Sequence, residues 1–398
     1  MNYKSHFSKN ILAPLILVCL FSACDDEPVV NAEPEIIIND FTISRILADR
    51  STGVDYRIDG CIDVLSSAIL TIEPGVVIEF TQNSCLEISD FAVLNAVGTA
   101  NKPIVFTGQQ KTKGFWKGIS FSETNNTNNQ LAYCTIEYAG NQLPTASSSN
   151  KAALIIGNST SDPARLVLNN VTVQHNLNAG VYIYADSFVD ALKNCTFTDN
   201  DEPIIVIGKA IGYLDPDNDF TGNTKDHIVW LTTSADSESD NATFTVKKLA
   251  VPYYLGSTSY SSSLGGHLII NAGVRMIMKA GVNMSANQGT ITMNGTANDR
   301  IILEGENYAP NTWDGVVARS TGVLNMNYVN VSDGGESSGA TQGMITHASN
   351  GQLQVTNCIF SNYAYYGLSF ASGDPHNADI ATSNICTGNT GLGCVYER

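Results

Sequence analysis

The 398-residue sequence is poor in positive charge: 21 Lys and Arg stand against 38 Asp and Glu, a formal net charge of −17. Phosphate binding needs a basic footprint, so nucleic acid is excluded as a partner, and so is electrostatic adhesion to anionic lipid. A membrane-spanning helix needs roughly 18 apolar residues in a row, and the longest apolar run, residues 11–21, falls short. No Cys-x-x-Cys pair, Cys/His set at zinc spacing, Gly-x-Ser-x-Gly elbow, phosphate loop or dinucleotide fingerprint occurs. The Gly-x-Gly at Gly391 and Gly393 is a turn. Charged residues make up only 15% of the chain, while Asn, Thr, Ser and Gly abound. That composition belongs to a turn-rich β protein rather than a helical one.

What is present is a repeat. Leu70-Thr-Ile72-Glu-Pro-Gly75 returns as Leu268-Ile-Ile270-Asn-Ala-Gly273, and 268 − 70 gives a shift of 198. Gly98-Thr-Ala-Asn-Lys-Pro-Ile104 returns as Gly295-Thr-Ala-Asn-Asp-Arg-Ile301, and Trp116-Lys-Gly118 as Trp313-Asp-Gly315, each shifted by 197. Between the glycines run apolar strings of three to six residues, such as 68–73, 76–80, 104–107, 268–270 and 301–303, with period-2 alternation. A shorter repeat sets the step. Asn170-Val-Thr-Val173-Gln-His-Asn176 matches Asn194-Cys-Thr-Phe197-Thr-Asp-Asn200, 24 residues on, with Asn357-Cys-Ile-Phe360 a third copy and Tyr133-Cys-Thr-Ile136 a looser fourth. That spacing predicts an all-β solenoid of three-sided coils, each pairing with the next in parallel. Val173, Phe197 and Phe360 should point inward, with Cys134, Cys195 and Cys358 on the same face as free, buried, inert thiols. Asparagines should form ladders at the turns. We expect a first array over 41–230, a polar linker or loop over 231–243 and a second array over 244–398, adjoining rather than one unbroken solenoid.

The N-terminus reads as an export signal: Lys4 and Lys9, then the apolar run, then Phe21-Ser-Ala-Cys24. The last four resemble a bacterial lipobox, with Phe21 where an aliphatic residue is usual. By that resemblance residues 1–23 are a signal peptide and Cys24 is the lipidated first residue of the mature chain, whose net charge becomes −19 once the two lysines are gone. Asp25-Asp-Glu27 resembles the surface-export signal of Bacteroidota lipoproteins, and residues 24–40 read as an acidic tether. The expected address is the outer membrane, surface-exposed, attached by lipid.

The strings Leu-Thr-Ile-Glu-Pro-Gly-Val-Val-Ile-Glu-Phe80, Val97-Gly-Thr-Ala-Asn-Lys-Pro-Ile-Val-Phe-Thr-Gly108, Trp116-Lys-Gly-Ile and Tyr133-Cys-Thr-Ile-Glu-Tyr-Ala-Gly140 resemble the right-handed parallel β-helix repeat proteins of the pectin-lyase-like fold. The resemblance covers roughly residues 41–398 and specifies fold rather than activity, since such folds host lyases, hydrolases, epimerases and adhesive proteins. An exported chain admits disulfides. Cys61, Cys85, Cys386 and Cys394 are the candidates, 61–85 spanning about one coil and 386–394 lying in the last, with three connectivities open.

A lyase of this fold needs a Lys or Arg base and cations to neutralise uronate. Asp215, Asp217 and Asp219 are the densest carboxylate group and the candidate Ca²⁺ ligands. Phe220 stands where a calcium loop requires glycine, so an acidic turn is the preferred reading; no cofactor is otherwise expected. Tyr182 and Tyr184 should share an outer face, with Tyr363, Tyr365 and Tyr366 in the corresponding coil of the second array. These five are the candidate glycan platform, aromatic faces with polar tips. Trp116 and Trp313 read as packing between coils, and the histidines (His175, His227, His267, His347, His376) as surface or turn residues. The preferred function is a lipid-anchored, non-catalytic module contacting polysaccharide or another surface component. The alternative is a polysaccharide lyase or glycoside hydrolase, which should set a Lys or Arg beside two carboxylates in one cleft.

Overall fold

The computed structural model describes residues 1–2, 33–50, 53–141, 151–158, 163–232, 242–256, 260–262, 266–335, 343–348, 350–387 and 392–397. Cys24, residues 3–23 of the expected signal peptide and most of the tether lie outside the described residues, as do 233–241 of the expected linker. Residues 33–398 form one compact unit, a parallel β-solenoid of about 11 turns. Every ladder between its described strands is parallel. The first strand, Glu35–Ile37, already pairs with Tyr56–Ile58, so the fold begins inside the stretch read as tether.

The first array has three faces. Sheet 1 has 7 strands, among them Tyr56–Ile58, Val77–Phe80, Ile104–Gly108, Cys134–Glu137, Thr172–Gln174 and Thr196–Thr198. Sheet 3 has 6, from Arg45–Leu47 to Phe188–Lys193. Between them in chain order comes sheet 2, with 13 strands from Cys61–Val64 to Ile385–Thr387, which runs the length of the solenoid. The second array adds sheet 4 (5 strands, Thr243–Val246 onward) and sheet 5 (6 strands, Tyr260–Ser262 onward). Sheet 2 thus runs through both halves of the one solenoid.

That sheet joins strands that are not equivalent in the repeat. In the first array the strand after Gly98-Thr-Ala-Asn, Ile104–Gly108, lies on sheet 1, and the strand after Trp116, Gly118–Phe121, lies on sheet 2. In the second array the strand after Gly295-Thr-Ala-Asn, Ile301–Gly305, lies on sheet 2, and the one after Trp313, Gly315–Arg319, on sheet 5. The motif order continues across the junction while the face slips by one. Sheet 1 ends where Asp219 bridges Thr196. Tyr253–Leu255, which would have continued it, pairs with Ile228–Leu231 on sheet 2 instead. A 3₁₀ turn, Gly208–Tyr213, sits at this point. An aromatic group fills the core there: Trp230, with its indole N–H on the Gly208 carbonyl (3.0 Å), packs with Phe244 and Tyr260 at centroid distances of 6.5 and 5.2 Å.

Inside, like residues stack. Ile78, Phe106, Ile136, Val173 and Phe197 are ladder neighbours on sheet 1 and fully buried. Each such side chain contributes about 1.5–3 kcal/mol by leaving water. Asn170 and Asn194 precede adjacent rungs, since Thr172 pairs with Thr196. Cys134 and Cys195 lie two residues before this column and Cys358 takes the like position before Phe360 on sheet 2; all three are free and buried. Burial pushes their thiols up to about 12, 11 and 11 respectively, so thiolate is scarce at any physiological pH and they act as small apolar groups. Disulfides join Cys61 to Cys85, ladder partners on sheet 2, and Cys386 to Cys394 in the last coil.

Candidate functional site

The corner where sheet 1 turns toward sheet 2 is built by an asparagine ladder. The buried Asn176 accepts the Ala139 N–H at 2.7 Å and donates its amide to Asn200 Oδ1 at 3.0 Å. Asn200, also buried, donates in turn to Asn223 Oδ1 at 3.2 Å. The same amides donate to the strand carbonyls of Ile136, Val173 and Phe197 (3.3, 3.0 and 2.9 Å). Side-chain amides thus satisfy backbone groups that strand pairing leaves open at the bend.

For the asparagines to point in, the residue before each must turn the chain. His175, Asp199 and Gly222 do so in the left-handed region, at φ 56, 51 and 82°, and Tyr138, before the buried Ala139 on the neighbouring rung, does the same at φ 63°. Each costs about 1 kcal/mol or more for a residue with a Cβ, which the ladder offsets. The consequence is functional: three chemically capable side chains are stacked outward, rung above rung. The Tyr138 and His175 rings stack at 5.4 Å, and His175 Nδ1 lies 2.6 Å from Asp199 Oδ2.

A loop over residues 109–117 lies along this column. Gly114 and Phe115 donate backbone N–H groups to Ala139 O and Tyr138 O, both at 3.0 Å. Lys113 reaches further down the axis to Asp199, donating to its carboxylate at 2.7 Å and its carbonyl at 2.6 Å. Lys111 donates to Thr107 Oγ1 at 2.6 Å, Thr107 donates to Glu137 Oε1 at 2.8 Å, and Gln174 donates to Glu137 Oε2 at 3.0 Å. Beside the corner, therefore, one outward column of sheet 1 runs Arg57, Glu79, Thr107, Glu137, Gln174, Thr198, each the ladder partner of the next. Arg57 and Glu79 close it with an ion pair at 3.0 Å.

The electrostatics follow from these contacts. The Lys113 ammonium, then the His175 hydrogen bond, hold the Asp199 carboxyl below its usual range. Burial, then Glu137 and Asp199, push the Tyr138 phenol up. A carboxylate with a lowered folded pKa stabilises above the unfolded value, about 3.9, and loses that contribution as pH falls through the folded one. Asp199 is half exposed, so the contribution is no more than about 1 kcal/mol. Thermal melting of wild type and Asp199→Asn across pH should show a gap in favour of wild type near neutral pH that shrinks as pH falls below the unfolded value of about 3.9.

The residues marked from sequence are placed differently. Tyr182 does face outward beside the inward Val181 and Ile183, yet it is 3% exposed, buried with Ile155, Ala179 and Ile207 in an apolar cluster on the outer side of sheet 2. Tyr184 is half-buried, its ring 5.0 Å from that of Tyr182. Tyr363 is in the core at 1% exposure, because it follows the left-handed Asn362 as Asn200 follows Asp199 and so takes the inward corner position. Tyr365 and Tyr366 are half-buried, Tyr366 stacked on Tyr396 at 4.7 Å. The five tyrosines therefore do not form an open platform.

Nor do the aspartates converge. Asp215 receives Lys247 at 2.8 Å, Asp219 caps Thr221 at 2.9 and 2.7 Å, and among the described residues no three-ligand group contains Asp215, Asp217 or Asp219. The histidines are less idle than their sequence contexts implied. His175 belongs to the corner site. His347 is buried at the inward position beside Ala318, with Nδ1 2.6 Å from Asp374 and Nε2 2.6 Å from the Gly351 carbonyl. Both His175 and Asp199 lie inside the quoted 24-residue repeat. The missing step was that the residue before each ladder asparagine turns outward.

Residues 46–152, about a quarter of the chain, match the family of pectate-lyase-like β-helix domains. No curated protein and no solved structure matches the chain. The solenoid and the matched domain type agree, and a pectate-lyase-like β-helix points to a carbohydrate-related function. Among the described residues no helix is long and apolar enough to cross a membrane.

Proposed function

We propose that this protein is a lipid-anchored surface module, held by Cys24, that binds an extended glycan along the outer face of sheet 1. The observation that carries the reading is the continuous polar column from Arg57 to Thr198. Rungs of a parallel sheet stand about 4.8 Å apart, comparable to one pyranose unit in an extended chain. Thr107 is itself buried and anchors Glu137, which also receives Gln174, while Glu79 is held by Arg57, so these partly exposed groups need little ordering on binding. Lys111, Lys113 and Arg57 stand against Glu137, Asp199 and Glu79, so this face is locally balanced in charge. Charges beyond about 8 Å are largely screened at physiological ionic strength, so an acidic sugar is not repelled here despite the net −17.

One observation favours the catalytic alternative: Lys113 stands beside His175 and Asp199, with Glu137 two rungs away. Asp199 on Nδ1 leaves His175 Nε2 without a protein partner among the described residues, the arrangement that orients a general base. On a uronate polymer, Nε2 would take the C5 proton. The electron pair would form the C4–C5 double bond, the C4–O glycosidic bond would break, and the departing oxygen would take a proton from Tyr138 or water.

One experiment separates the two. Isothermal titration with pectin, alginate and neutral oligosaccharides should show binding that Glu137→Ala or Gln174→Ala weakens about tenfold, the worth of one good hydrogen bond. If absorbance in the unsaturated-product band then stays flat, the module is a binder. If it rises, and His175→Ala stops it while preserving affinity, the module is a lyase. No binding to any acidic or neutral glycan overturns both.

A further inference from the structure

The N-terminal coil carries an apolar rim. Ile36, Ile38, Ile43 and Ile46 are 53, 62, 79 and 63% exposed. Elsewhere in the described solenoid, large apolar side chains more than half exposed are few: Phe91, Tyr308, Ile385 and Leu392. Scattered single exposures are ordinary, whereas a group concentrated on one element marks an interaction surface. The coil's topology spreads the four around the solenoid's end. Ile36 is on sheet 1, Ile46 on sheet 3, and Ile38 and Ile43 flank Phe41, which bridges Val64 of sheet 2. The charges within the rim are engaged: Glu35 and Arg45 pair with each other, and Asp40 accepts the Asp63 N–H at 2.9 Å.

We infer that this rim rests on the lipid bilayer, so that the solenoid stands on its first coil with later coils projecting outward. The inference rests on the lipid-anchor reading above. Only residues 25–34 separate Cys24 from the first strand, Glu35–Ile37. At 3.3–3.6 Å per residue they reach at most about 35 Å, so an anchored molecule holds its Ile-bearing end permanently beside the membrane. At that effective concentration weak apolar contacts suffice. A second copy meeting this end would need two tethered molecules to approach end to end, which one membrane geometry disfavours. The strongly negative net charge directs the rim toward zwitterionic headgroups rather than anionic ones.

The test uses the mature lipidated chain in phosphatidylcholine vesicles, with an environment-sensitive dye on Ile43→Cys in one sample and on the exposed Ser372→Cys, toward the C-terminal end of the solenoid, in another. The native free thiols are buried and should not label. Expected is a blue-shifted Ile43 probe quenched by brominated lipid, with the Ser372 probe unaffected. Equal, water-like emission from both on vesicle-bound protein overturns the inference while leaving the anchor intact. Protein that does not bind vesicles, and lacks acyl mass on Cys24, overturns the anchor and this inference together. A blue shift that rises with protein concentration and ignores brominated lipid means self-association, and also overturns it. If either cysteine variant fails to give the wild-type circular dichroism spectrum, Ile46→Cys and Asp379→Cys serve in the same positions.

Discussion

Trp116→Ala should cost about 3–5 kcal/mol, the range for removing a buried tryptophan from a core, measured by urea denaturation. Trp116 is fully buried, its ring stacks on Phe80 at 3.8 Å, and its indole N–H donates to the Glu137 carbonyl at 2.9 Å. Alanine would leave a cavity between rungs and an orphaned carbonyl at the end of the strand that carries the site. Trp313 makes the same contact in the second array, 2.9 Å to the Ser332 carbonyl, and its replacement should cost a similar amount. Coils contact mainly their neighbours, so the loss should show as local melting as well as a shifted midpoint. Trp116→Phe, which keeps most of the volume and loses only the donor, should cost about 1–2 kcal/mol. A loss under 1 kcal/mol for Trp116→Ala would show that the corner repacks freely and that the repeated tryptophan is not a structural pin.

Asn200→Ala should have a comparable effect by a different route. The amide satisfies Val173 O and Asn223 Oδ1 as donor and accepts both the backbone and side-chain N–H of Asn176, at 3.3 and 3.0 Å. Each buried group left without a partner costs about 1–3 kcal/mol; two or three orphaned at once give a loss of about 3 kcal/mol or more by the same measurement. Since the ladder is what holds His175 and Asp199 in the left-handed region, the variant should also lose the low Asp199 pKa, seen by carboxyl-resolved NMR titration. Loss of stability with an unchanged Asp199 titration would separate the ladder from the site.

The fold was largely legible because a solenoid writes its geometry into a one-dimensional repeat. The Asn-x-Thr-x and Asn-Cys-x-Phe strings gave the step between rungs, and alternation gave the inward direction of Val173 and Phe197 on sheet 1 and of Phe360, which lies on sheet 2. The slipped face at residues 208–255 was not legible. Motif order passes through the junction undisturbed, and only the pairing of Tyr253–Leu255 with Ile228–Leu231 reveals it. The site was misread for a related reason. Outward alternation correctly placed Tyr182, but alternation along a strand carries no information about what covers a sheet, and that face is buried. At corners the period-2 rule lapses, which sent Tyr363 inward and Tyr138, His175 and Asp199 outward. The Lys113–Asp199 contact, 86 residues apart in sequence, depends on a loop crossing the intervening rungs.

Hydrogen–deuterium exchange with and without a bound acidic oligosaccharide tests most directly whether sheet 1 is the working face. Protection should appear over residues 104–114, 134–140, 172–177 and 196–200 together, and nowhere on sheets 4 and 5. Protection confined to the second array, or to the outer side of sheet 2 around Tyr182, would contradict the account.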